Sequence, residues 1–98
     1  MDSHAALAIL RANEAELRRR GVRHAALFGS VARGEARADS DLDVMIEIDP
    51  ERVRDVFSYV GLCRFIDDLF PVRVDVADRQ SLKERVRERA EHDAVPAF

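Results

Sequence analysis

The sequence predicts an α+β fold of two compact layers, helices stacked on a three-stranded sheet, in the order α-β-α-β-α-β-α. Apolar residues recur at helical spacing before Gly21 and again after Pro50. Residues 41–48 and the later stretch "VRVDVA" instead alternate apolar and polar side chains, the period of a strand with one buried face. The 98 residues make one domain, 1–98, with room for a single core.

Residues 2–20 read as the first helix. Ser3 can cap it, Leu7, Leu10 and Leu17 fall on one stripe, and Gly21 stops it after three arginines suited to a helix C-terminus. Residues 22–28, "VRHAALF", form a short buried strand that ends at Gly29, and Ser30 opens a short helix. In the second strand Leu42, Val44, Ile46 and Ile48 face the core, while Asp41, Asp43, Met45 and Glu47 face the open side. Pro50 closes that strand. A helix over 51–68 follows, with Val53, Val56, Phe57 and Val60 at helical spacing and Gly61 as a weak point. Pro71 opens the third strand, where Val72, Val74 and Val76 point one way and Arg73 and Asp75 the other. The last helix, 81–92, buries Leu82 and Val86 behind a charged, solvated face. The tail "DAVPAF" returns to the core or meets a partner.

Composition narrows the function. With 47% hydrophobic and 36% charged residues the chain reads as a soluble globular protein, and no apolar run approaches the roughly 18 residues of a membrane span. The N-terminus "MDSHAALAIL" lacks the basic-then-apolar order of a signal peptide, so a cytoplasmic protein is expected. A net charge of -3 argues against direct nucleic-acid binding, which needs positive charge to displace counterions. Lys83 is the only lysine among 16 basic residues, and arginine is the better bidentate partner for phosphate. The single cysteine, Cys63, reads as a helical core or interface position, and His4, His24 and His92 lack zinc-site spacing.

The chemistry concentrates in residues 28–49, "FGSVARGEARADSDLDVMIEID". Asp41 and Asp43 are two apart on a strand, so both project from one face, roughly 6 to 7 Å apart at the backbone. Two bare carboxylates so close repel, and a cation relieves that repulsion. Magnesium takes hard oxygen ligands, one or two of them carboxylates, and an open strand carrying Asp-x-Asp supplies that half-shell. If the third strand lies beside the second, Asp75 becomes a third carboxylate, which suits a two-metal site for phosphoryl or nucleotidyl transfer. The third carboxylate can also act as general base. Gly29 allows a tight turn, and Ser30 offers a hydroxyl and backbone N–H groups to an anion. Arg33 can reach a phosphate or pin the loop through Asp41 or Asp43. The stretch "GSVARG" also satisfies the first part of a P-loop, but Glu35 and Ala36 stand where Lys and Ser/Thr are required. Taken singly, each of these features is ordinary. The weight lies in their order and spacing.

Gly29-Ser30, ten residues, Asp41-Leu42-Asp43 and a later strand carboxylate, Asp75, together resemble the DNA-polymerase-β-type nucleotidyltransferase superfamily. Within it the chain is similar to the minimal nucleotidyltransferases, over nearly its whole length. The resemblance implies a mixed three-stranded sheet with flanking helices. It also implies two magnesium ions held by Asp41, Asp43 and Asp75, and ATP phosphates cradled at Gly29, Ser30 and Arg33, with Ser40 on the nucleotide side. Such proteins are commonly paired with a HEPN-domain toxin, a helical ribonuclease, and transfer AMP from ATP to a tyrosine hydroxyl of it. The implied partners are therefore ATP and that toxin, in a hetero-oligomer, with no membrane. Two other functions compete: an antitoxin that only covers the toxin, and an aminoglycoside-type enzyme acting on a small molecule.

Overall fold

The computed structural model describes residues 1–37 and 40–98. The elements run α1 (Ser3–Ala12), α2 (Glu14–Arg19), β1 (Val22–Phe28), α3 (Gly29–Ala32), β2 (Leu42–Ile48), α4 (Val56–Asp68), β3 (Val74–Asp78), a 3-10 turn (Arg79–Ser81), α5 (Glu84–Asp93) and β4 (Val95–Pro96). One mixed sheet has the order β3-β2-β1-β4. β1 pairs antiparallel with β2 and β4, and β2 pairs parallel with β3.

The expected first helix is two helices. Asn13 breaks it: its side-chain amide donates to Ile9 O at 2.8 Å, and its own N–H is shared between Ile9 O and Leu10 O. This is the competition of a short polar side chain with the helical ladder. Asp2 rather than Ser3 caps α1, accepting from Ala5 N at 2.8 Å. α4 likewise starts later than Pro50 suggests, because Asp55 caps it through Ser58 N at 2.7 Å.

The core holds Leu10, Leu17, Leu27, Leu42, Val44, Ile46 and Ile66, all essentially inaccessible to water. On α4 the buried side is not the one expected. Val56 is 73%, Phe57 88% and Val60 48% exposed, while Leu62 and Ile66 are buried with Tyr59 and Leu69 packed beside them. Positions 59, 62, 66 and 69 form a second apolar stripe at helical spacing, and it is the one that meets the sheet. Val86 of α5 is also exposed, at 49%, and Ala90 is the buried residue of that helix instead. Met45, expected on the open face, is buried beside a cavity shared with Ala26, Pro96 and Phe98.

The tail resolves toward the core and adds the fourth strand. Pro96 stands opposite Ala26 and Val95 opposite Leu27, and Ala97 N donates to Ala25 O at 2.8 Å. Proline is tolerated there because β4 is an edge. Arg11 reaches over from α1 to donate to Ala97 O at 3.0 Å and Pro96 O at 3.1 Å. No helix is long and apolar enough to cross a membrane among the described residues.

Candidate active site

Two strand registers bring the acidic residues to one end of the sheet. Phe28, the last residue of β1, stands opposite Asp43, and Asp43 stands opposite Asp75 on the parallel neighbour β3. Asp41 lies just before β2 and is exposed. The start of the strand is fixed by Leu42 N donating to Arg73 O at 2.9 Å, and that of β3 by Val74 N donating to Asp67 Oδ1 at 3.1 Å. Asp75 thus joins Asp41 and Asp43 by neighbouring strands.

The chain turns sharply after Phe28, and Gly29 adopts φ 73. A side chain at Gly29 would collide with Asp43: a Cβ there would sit 3.0 Å from the Asp43 carboxyl carbon and nearer still to one of its oxygens. Glycine at this position therefore serves two needs at once, a left-handed backbone and space for the carboxylate.

The electrostatics follow from this packing. Partial burial pushes the Asp43 carboxyl above its ordinary pKa, the neighbouring charges of Asp75 and then Asp41 push it further, and Arg33 pulls the other way. Asp43 is the carboxylate on which the other charges converge. Among the described residues, no group of three His, Cys, Asp or Glu side chains is already arranged to hold a metal ion. The charges of Asp75 and Asp41 that press on Asp43 come from carboxylate oxygens, donors of the kind a hard divalent cation such as magnesium takes.

Arg33 does not pin the loop through Asp41 or Asp43. Its Nε donates to Glu35 Oε2 and its Nη1 to Asp93 Oδ2, each at 3.0 Å. Its charge is still felt at Asp43. Ser30 is half-buried in α3, the single turn Gly29–Ala32. Ser40 is engaged with the loop itself: its hydroxyl oxygen accepts from Arg37 N at 2.8 Å, and its N–H donates to Arg37 O at 3.0 Å. Asp93 and Glu35 are the polar neighbours that sequence reasoning missed. Glu35 is two residues from Arg33, a spacing that could have suggested the pair, whereas Asp93 lies 60 residues away.

Residues 10–96 match the nucleotidyltransferase domain family. The chain is 35% identical over 88 residues to a protein of Thermococcus cleftensis named protein adenylyltransferase MntA, covering 89% of this chain and 87% of that one. A solved structure described as a minimal nucleotidyltransferase is 36% identical and superposes with a TM-score of 0.73, over 98% of this chain and 96% of the other. A toxin–antitoxin crystal structure with AMP-PNP, 18% identical, shares the fold at a TM-score of 0.70 over 90% of this chain and 72% of that one. By the match across its length and its kinship with these proteins, the chain belongs to the nucleotidyltransferase domain family.

Proposed function

We propose that this chain transfers AMP from ATP to a tyrosine hydroxyl of a HEPN-domain ribonuclease toxin and so neutralises it, acting as the antitoxin of the pair in the cytoplasm. The observation that carries the reading is the register of Asp43 between Gly29 and Asp75, which gathers carboxylates against a glycine turn. The relative named protein adenylyltransferase MntA supports AMP as the transferred group, and the toxin–antitoxin structure with AMP-PNP supports both the nucleotide and the kind of partner.

In the reaction the acceptor oxygen forms a bond to the α-phosphorus of ATP while the bond to the β-phosphate oxygen breaks, and pyrophosphate leaves. Asp41, Asp43 and Asp75 would hold two magnesium ions, whose charge would offset that of the phosphates and would lower the pKa of the attacking hydroxyl. Gly29 would let the backbone approach the triphosphate closely, and Ser30 beside it would offer a hydroxyl and a backbone N–H. Arg33 and Ser40 complete the nucleotide side. Asp75 is the candidate acceptor of the hydroxyl proton.

The test is mass spectrometry of the toxin after incubation with this chain, ATP and magnesium. The expected result is a gain of one or more AMP units, abolished by Asp43→Asn. An unmodified toxin with the wild-type chain would overturn the reading, as would neutralisation in cells that survives Asp43→Asn at normal expression.

A further inference from the structure

We infer that Asp93, the last residue of α5, is a positioning residue for nucleotide binding: it holds the Arg33 guanidinium beside the glycine turn, ready for a polyphosphate. This inference rests on the nucleotide part of the proposed function.

Arg33 follows α3 directly, on an exposed segment, and an unrestrained arginine loses about 2 kcal/mol of rotamer freedom when it is fixed. Two carboxylates fix it in advance. Glu35, two residues away, takes Nε and Asp93, 60 residues away, takes Nη1, each at 3.0 Å. Together they define the plane of the guanidinium. They also use only two of its five N–H groups, which leaves donors for phosphate oxygens.

Asp93 is a costly choice for helix stability alone. A carboxylate at the C-terminal end of a helix opposes the macrodipole, and the Asp93 side chain is only 22% exposed. Its other neighbour, His92, lies 3.6 Å away and is 88% exposed, a weak compensation. Arg33 is what makes the position favourable. The pair also closes one side of a cleft of about 180 Å³ that runs from Gly29 and Phe28 to Val86 and Arg89 of α5. Gly29 and Arg33 thus share one small concavity, and Arg33 is close enough for Asp43 to feel its charge.

The experiment compares wild type, Asp93→Ala, Asp93→Asn, Asp93→Glu, Arg33→Ala and the Arg33→Ala/Asp93→Ala double variant. AMP-PNP affinity is read by calorimetric titration without toxin, alongside melting temperature, with KM and kcat for ATP wherever transfer is followed. Asp93→Ala and Asp93→Asn are expected to weaken AMP-PNP binding about five- to tenfold and to raise KM by a similar factor, with kcat within twofold. Asp93→Glu restores most of the affinity, and Asp93→Ala adds nothing once Arg33 is Ala, as residues acting through one another must. Tighter binding in Asp93→Ala, unchanged affinity in Asp93→Asn with the fold intact, or multiplying effects in the double variant would each overturn the inference. A wild-type chain that binds no AMP-PNP would overturn the nucleotide reading beneath it. Intact binding with no toxin modification would strike only at the acceptor.

Discussion

Gly29 and Gly34 offer a controlled comparison, because both hold nearly the same left-handed backbone, φ 73 and φ 74, in different surroundings. Alanine at either position costs roughly 1 to 2 kcal/mol for that backbone alone. In a domain of this size each kcal/mol lowers the melting temperature by about 4–8 °C. At Gly34 nothing lies within 4 Å of an added Cβ among the described residues, so Gly34→Ala bears the backbone cost and no more. At Gly29 the added methyl meets the whole Asp43 side chain, with the carboxyl carbon at 3.0 Å and Cβ at 3.3 Å. Rotation of the carboxylate relieves only its outer atoms and moves it from its place beside Asp75, while the contact at Cβ stays because the strand fixes that atom. Overpacking of this kind adds about 1 to 3 kcal/mol, and misplacing a reacting group by about 1 Å costs on the order of 10²-fold in rate. Gly29→Ala should therefore melt well below Gly34→Ala and lose about a hundredfold or more in AMP transfer, while Gly34→Ala stays within about twofold of wild type. Calorimetry and single-turnover transfer measure the two effects. Equal melting temperatures and equal rates in the two variants would refute the role assigned to the space beside Asp43.

Asp43 also gives a pH prediction. Burial and the nearby Asp75 and Asp41 charges hold its carboxyl above the ordinary value, so the fold favours its protonated form. Its contribution to stability is present below about pH 4, the unfolded aspartate value, and is lost as pH rises through the higher folded one. Asp43→Asn should then melt above wild type at pH 7 in EDTA, with the gap closing toward pH 4, and magnesium should raise the melting temperature of wild type alone. A variant that melts below wild type at pH 7 in EDTA contradicts this. On α4, Phe57→Ser should change stability by about 0.5 kcal/mol at most, since Phe57 is 88% exposed, whereas Ile66→Ala should cost about 2–5 kcal/mol. Urea titrations of both variants decide which stripe of the helix packs.

The fold was legible wherever one periodicity held without a rival. The alternation from Leu42 to Ile48 marked one core face, and Leu42, Val44 and Ile46 are buried as it requires, although Ile48 is only half-buried and Met45 on the other face is buried too. α4 carried two apolar stripes, and sequence spacing cannot rank them. The choice falls to the surface they meet, and it is the stripe of Leu62 and Ile66 that is buried. The break at Asn13 and the fourth strand were hidden for a related reason. One depends on a single side-chain hydrogen bond, the other on two residues finding the edge of β1.

The candidate site divides along the same line. Asp41, Asp43 and Gly29 could be singled out because strand period and turn chemistry act over a few residues. Asp75 needed only one added assumption, that successive strands lie side by side, and the parallel register places it opposite Asp43. Arg33 is where local reasoning fails. Local spacing offered Asp41 or Asp43 beside a phosphate as its partner, yet the carboxylates it meets are Glu35, two residues on, and Asp93, which arrives from 60 residues away. Pairing Arg33 with Asp41 or Asp43 would also neutralise the negative charge that a divalent cation needs. A distant carboxylate can orient the arginine without competing for that role, which gives α5 a task in the site that its charged sequence does not announce.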